Sequence, residues 1–397
     1  MASAGLSRRR APAQSSSAQD DDERGPTSPP LESRDSSAGN DFGNGSAGAG
    51  STHAGSAFAN GSRIAYDPRD LALSSSEDAL VGGKLPKLTL MEEVLLLGIK
   101  DKQGYLSFWN DNISYALRGC ILIELALRRR IGVVKDPGRK RLPLPERPIT
   151  VLSTRQTGET LLDETLKMMK QTEDGGEKMG VGTWVDLLSG ETWNVLKIGF
   201  QLKQVRERLA KGLVDKGVLR TEKRNFLLFD MATHPVADAH VKAGVVNRVV
   251  ALLTSATSAV PPSALAPEGT QCRALRAVCL ACAAYTASVL DNAFGRLGYE
   301  EREAAFGRCD EILGEFGIWP FGGSESTSSS SKRKPRVAIA SGPGGVDMGR
   351  ESVRGLVAAA RAESATSGGG AGGADEDAGF ELVAAVLEVL SKLDSLL

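Results

Sequence analysis

For about the first 85 residues the chain is rich in Ser, Gly, Ala and Asp, with few large apolar side chains. Such a segment cannot bury enough surface to offset its chain entropy, so residues 1–85 are expected to be disordered. The pattern changes at KLTLMEEVLLLGIK. Thr89 followed by Glu92 has capping-box spacing, Leu90, Met91, Val94, Leu95 and Leu97 form an apolar stripe, and Gly98 marks the end of that helix. After the polar turn DKQGY and the segment SFWND, the spacing predicts a long helix from Asp111 to Arg130. Ile113, Leu117, Ile121 and Leu125 recur every four residues there. Ile123 and Leu127 widen the apolar face until the helix is nearly buried. Arg128, Arg129 and Arg130 close it, where cations suit the negative end of the helix dipole.

IGVVKDPGRKRLPL predicts a strand, a Pro-Gly turn and a return, with Lys135, Arg139, Lys140 and Arg141 at the tip. A helix is expected over about 159–170, followed by a polar loop, then by a short helix and a turn in TWVDLLSGETWN. The clearest pattern comes next: Ile198, Leu202, Val205, Leu209 and Leu213 step by four, three, four and four, the seam of one amphipathic helix. Lys203, Arg206, Arg208 and Lys211 lie on its other face. Gly217 introduces VLRTEKRNFLLFDM, a β-hairpin with an unusually apolar second arm. Beyond Thr254, ALRAVCLACAAYTASVL, EREAAFGRCDEILGEF and ELVAAVLEVLSKLDSLL are helical. The stretches near 255–268, 322–350 and 363–378 look like flexible insertions between core helices. The expected fold class is therefore mostly α, a single globular domain over 86–397 with a small β-hairpin.

Composition adds a charge asymmetry. The net charge of the 397 residues is -1, but residues 86–254 hold 27 basic against 20 acidic side chains, and the segments on either side are acidic. That bias in the middle concerns anionic partners, not fold. Five cysteines without a framework spacing fit a reducing compartment. No N-terminal apolar stretch reads as a secretory signal, and no run of eighteen apolar residues reads as a membrane span. The expectation is a soluble protein facing the cytosol, peripheral wherever it meets a membrane.

Enzyme chemistry finds little support. There is no P-loop, no GxGxxG after a strand, no HExxH and no GxSxG. His53, His234 and His240 pair with no nucleophile. Cys279 and Cys282 form a CxxC among Ala, Leu and Val, better explained by small buried residues than by zinc. Catalytic residues, metal ligands and cofactors are all expected to be none. Binding chemistry fits better. Lys203 and Arg206, three apart on one helical face, project together. Arg118 could join them around a phosphate, which a guanidinium grips bidentately. Trp109 supplies an aromatic nearby in sequence, and the arm Phe226, Leu227, Leu228, Phe229 and Met231 could dip into a lipid interface. For each charge the plainer reading is a solvated face; for the arm it is a core strand or an oligomer contact. Arg8, Arg9 and Arg10 could form a short docking motif. A helix followed by a hairpin also suggests a winged-helix nucleic-acid binder. Glu207 among the cations and the apolar wing count against that alternative.

Six stretches carry a resemblance: LTLMEEVLLLGIKDKQGYLSFWND, LRGCILIELALRRRI, LLDETLK, WVDLLSGETWNVLK, QLKQVRERLAKGLVDKGVL and TEKRNFLLFDMATHP. In this order the chain closely resembles the Golgi phosphoprotein 3 family, nearly continuously from about Leu85 to Val250 and more weakly beyond. The resemblance implies a central helical bundle ringed by helices, with a hairpin on the membrane-facing side. It implies recognition of phosphatidylinositol 4-phosphate on the cytosolic face of Golgi membranes, with a further pool in the cytosol. Trp109, Arg118, Lys203 and Arg206 match the family's headgroup-binding positions. Lys203 stands where Arg is also found, which keeps the charge and loses the fork. The family links cytosolic tails of Golgi glycosyltransferases to coatomer, and Arg8, Arg9 and Arg10 look like its coatomer-docking cluster. Some members self-associate with the hairpin involved, which leaves a homo-oligomer open. Nucleic acid is not an expected partner.

Overall fold

The computed structural model describes residues 84–106, 112–226, 229–255, 257, 259–323, 345–367 and 377–393. Its first half runs α1 (Leu90–Gly98), α2 (Asn112–Leu127), β1 (Ile131–Val133), β2 (Ile149–Val151), α3 (Thr160–Asp174), α4 (Val181–Ser189) and α5 (Val205–Asp215). The hairpin β3 (Glu222–Phe226) and β4 (Phe229–Thr233) follows, then α6 (Ala239–Thr254), α7 (Arg273–Thr286) and the single turn α8 (Leu290–Ala293). α9 (Tyr299–Phe316), α10 (Gly345–Ser367) and α11 (Ala378–Ser391) complete the order.

α2 occupies the centre because of its own composition. Every residue from Ala116 to Leu127 is buried, so the helix has no face to offer solvent. α1, α4, α7 and α11 close around it. The contact with α11 is the most intimate. A Cβ on Gly119 would come within 3.1–3.2 Å of Leu390 and Val386 side-chain atoms, so glycine allows that approach. Nearly all of α11 is buried in turn. The fold is thus mostly helical, a buried bundle ringed by α3, α5, α6, α9 and α10. The capping box forms as expected: Glu92 accepts from Thr89 N at 2.8 Å, and Thr89 Oγ1 from Glu92 N at 3.4 Å.

Four expectations change. First, the return strand after β1 comes at Ile149–Val151, not within RKRLPL, and makes a second antiparallel hairpin. Pro143, Pro145 and Pro148 lack amide donors, so ladder pairing waits until they are passed. Two 3-10 turns fill the gap, and Arg139 from the supposed tip pairs instead with buried Glu381 of α11, as does Arg147. Second, the amphipathic seam is not one helix. Val195–Phe200 is a 3-10 turn, Gln204 adopts a left-handed φ of 52°, and α5 begins only at Val205. Phe200 packs edge-to-face on Trp184 while Leu202 is fully buried. That two-residue spacing suits extended chain and interrupts the helix, and Ile198 is left 49% exposed. Third, Lys203 therefore precedes α5 and does not share a helical face with Arg206. Fourth, Gly345–Ser367 is a helix whose Val353, Leu356 and Ala360 enter the core, inside a region that read as mostly insertion.

One charge sits at the heart of this apolar assembly. Glu124 on α2 is fully buried. Its carboxylate accepts from Arg128 Nε at 2.8 Å, from Arg276 Nη1 and Nη2 at 2.9 and 3.0 Å, and from Leu90 N at 3.2 Å. It thereby ties α1, α2 and α7 together. Burial alone would push its carboxyl up. The guanidiniums of Arg276 and Arg128 outweigh that and hold it well below the ordinary carboxylate range. Glu124→Gln leaves two buried guanidiniums without a counter-ion, and we expect a loss of about 3–5 kcal/mol in urea unfolding at neutral pH. The carboxylate's contribution is complete above its unfolded pKa of about 4.3 and is lost as the pH falls further, so the variant's deficit should narrow on acidification. A deficit under about 1 kcal/mol at neutral pH would show the network to be dispensable.

Candidate functional site

The second buried charge of α2 is Arg118, only 6% exposed. Its Nε donates to the Leu188 carbonyl at 3.3 Å. Nη1 donates to the carbonyl and hydroxyl oxygens of Ser114 at 2.9 and 2.8 Å, and Nη2 to the Leu202 carbonyl at 2.9 Å. The guanidinium thus spans three pieces of chain: α2, the last turn of α4 and the segment that leads into α5. Leu188 also accepts from Leu202 N at 3.1 Å, which closes the two latter pieces on each other. Its carbonyl lies at the negative end of α4, favourable for a cation.

All of these acceptors are neutral, and among the described residues no carboxylate forms an ion pair with Arg118. Burial lowers its pKa first and the charge of Arg206 second, while Glu207 offsets part of this; the result is about 10. Arg118 therefore stays cationic at neutral pH, and among the described residues no carboxylate is bonded to it.

Arg206 stands half-buried in the first turn of α5, and Lys203 is exposed one residue beyond the Leu202 carbonyl that Arg118 holds. The break before α5 has a chemical consequence. No side chain caps its N-terminus, since the N-cap residue Gln204 makes no such bond. The N-terminus of a helix favours negative charge, as the neighbouring cations do. Arg118 and Arg206 are thus brought together, with Lys203 beside them on the approach segment and not on the helix. Trp109 lies outside the described residues.

His234, just beyond β4, feels the charge of Glu207, as Arg118 does; burial lowers the imidazole pKa and Glu207 offsets part of that. Arg224 anchors β3 by donating to the Lys102 carbonyl. Phe226 pairs with Phe229 in the ladder and half-buried Met231 with Arg224. Leu227, Leu228 and the cluster Arg8, Arg9 and Arg10 lie outside the described residues. Cys279 and Cys282 are buried in α7, where burial raises both thiols well above the ordinary range, with Cys282 adding to the shift of Cys279 and Cys309 to that of Cys282. A cavity of about 250 Å³ lies at the opposite end of α2, lined by Leu85, Arg128, Arg129, Arg130, Ser153, Arg155 and Gln271. Its Arg128 and Arg129 are committed to Glu124 and Asp377, and it is not the predicted site.

Sequence reading missed the exposed apolar turn beside the site. Trp193, Val195 and Leu196 are 103%, 76% and 90% exposed. The signal was present as ETWNVLKI between Gly190 and Gly199, but the helical seam absorbed Ile198 and its neighbours.

Residues 90–323 match the family model described as Golgi phosphoprotein 3. The chain is 57% identical over 259 residues to the vacuolar protein sorting-associated protein 74 of Schizosaccharomyces pombe, covering 65% of this chain and 74% of that protein. It is 52% identical over 259 residues to the protein of the same name in Eremothecium gossypii, covering 65% and 75%.

The bonds of Arg118 mean that its removal has a structural cost. Arg118→Ala leaves the carbonyls of Leu188 and Leu202 and the Ser114 hydroxyl without this donor. We expect a loss of about 1–3 kcal/mol and faster proteolysis within 190–201. Unchanged melting and unchanged cleavage would show that these bonds hold nothing.

Proposed function

The chain belongs to the Golgi phosphoprotein 3 family, and from that membership and the cationic site we propose that it recruits itself to membranes by binding phosphatidylinositol 4-phosphate. It is a Golgi-associated adaptor of that family, and among the described residues no helix is long and apolar enough to cross a membrane. The observation that carries the lipid reading is the buried guanidinium of Arg118, bonded to neutral oxygens alone among the described residues and next to Arg206. A phosphate monoester at this place would meet three cations and the uncapped amides of α5. In this reading Arg118 and Arg206 hold the phosphate and Lys203 contributes charge at the rim. Trp109 and the hairpin residues Phe226, Leu227, Leu228, Phe229 and Met231 reach the bilayer.

The domain that does this spans 86–397, with the tail 1–85 ahead of it. Once on the Golgi membrane, the adaptor links cytosolic tails of glycosyltransferases to coatomer, with Arg8, Arg9 and Arg10 as the coatomer contact. Binding takes place on the cytosolic face, no reaction is catalysed, and a homo-oligomer through the hairpin would compete with membrane contact. The winged-helix alternative is not favoured: α5 packs against α1 and α2 as part of the ring around the bundle, and Glu207 lies exposed in its first turn.

The test is flotation with vesicles that carry phosphatidylinositol 4-phosphate and with vesicles matched in charge by phosphatidylserine. The wild type should prefer the former. Lys203→Ala and Arg206→Ala should each weaken that binding about five-fold, the equivalent of about 1 kcal/mol per cation near an anionic surface. Equal flotation on both vesicle types would leave only general electrostatics.

A further inference from the structure

We infer that the loop 190–201 is a second membrane-inserting element, distinct from the β3–β4 hairpin, and that its occupant is an anionic lipid bilayer. The inference rests on the membrane reading above.

The loop is closed at its feet. Leu202 N bonds to Leu188 O at 3.1 Å, and Arg118 reaches both feet through the carbonyls of Leu188 and Leu202. Gly190 turns with φ 90°, and a Cβ there would lie 2.3 Å from the Gln201 amide. The interior of the loop is fixed too. Phe200 packs on Trp184, the Asn194 side chain caps Leu196 N at 3.0 Å, and Lys197 pairs with Glu177. These contacts leave Trp193, Val195 and Leu196 projecting from a braced 3-10 turn instead of collapsing onto the surface. An exposed apolar cluster of this kind marks a contact surface.

Charge decides the kind of partner. Residues 191–211 hold five basic side chains (Lys197, Lys203, Arg206, Arg208 and Lys211) against Glu191 and Glu207, a net of +3, of which Lys197 pairs with Glu177 and Arg208 with Glu164. Trp and aliphatic residues beside lysines and arginines have the composition of segments that lie in an anionic interface. Through Arg118 the loop also springs from the proposed headgroup site, so a lipid held there brings the bilayer to the tip.

The experiment uses the full chain with Trp193→Ser and Leu196→Ser together. Both side chains are almost entirely exposed, so the fold does not depend on them. Flotation on phosphatidylserine vesicles containing phosphatidylinositol 4-phosphate should drop at least tenfold, while calorimetric affinity for soluble inositol 1,4-bisphosphate stays within two-fold of wild type. Brominated acyl chains should quench wild-type tryptophan fluorescence more strongly than that of a Trp193→Phe variant. Wild-type flotation by the double variant would overturn the inference, as would equal loss of soluble headgroup binding. A change in sedimentation with unchanged flotation would overturn it in favour of a contact between copies. Absence of soluble headgroup binding by the wild type would instead overturn the headgroup reading and leave the loop result to stand by itself.

Discussion

Helix α2 carries two buried charges six residues apart, and their opposite treatment organises the molecule. Glu124 is supplied with two guanidiniums and a backbone amide. Its charge is more than matched, and the result is a bolt through three helices. Arg118 donates four bonds to neutral oxygens and, among the described residues, forms no ion pair. A buried cation in that state is costly to maintain unless something outside the chain completes it. Glu124 therefore belongs to stability, and Arg118 is the buried cation left for the proposed ligand, with the charge of Arg206 acting on it.

Arg118 nevertheless has structural work within the folded chain. Its bonds to Leu188 and Leu202 fix the feet of the 190–201 loop, and the Leu202 carbonyl sits just ahead of Lys203 and the start of α5. The proposed anion site and the apolar loop are consequently joined through Arg118. The helix break at Gln204 serves both ends of it, since it starts α5 just beyond Lys203 and lets Phe200 and Leu202 turn inward while Trp193 and Leu196 turn out.

That break is also where sequence reasoning failed, for a definite reason. The four-three-four-four spacing of Ile198, Leu202, Val205, Leu209 and Leu213 is genuine, but its first two members belong to a 3-10 turn and to the loop after it. Hydrophobic spacing cannot distinguish a seam from a seam preceded by a turn when the lead-in happens to be in register. The long elements α1, α2, α7 and α11 were legible because burial on every side leaves a dense apolar record. The α10 helix was not, because its alanines and serines bury little per residue and resemble linker. Of the site, the cations could be named from residue type and resemblance. The carbonyls that hold Arg118 could not, since backbone acceptors leave no mark in the sequence.

A peripheral adaptor of the proposed kind must bind firmly enough to be recruited and loosely enough to leave. Each cation near an anionic leaflet contributes about 1 kcal/mol, and a single shallow apolar contact is no stronger than one marginal lipid anchor. Small terms add when one rigid body presents them together, because translational freedom is lost only once. The bracing of Trp193 and Leu196 by Asn194, Phe200 and Arg118 meets the ordering cost during folding instead of at the membrane. The same rigidity makes the sum sensitive to the headgroup. Without a phosphate at Arg118 the cations and the loop retain only general attraction, and with one they engage in register. Selectivity for a lipid can then arise from weak, individually unspecific contacts, provided that one buried guanidinium fixes their spacing.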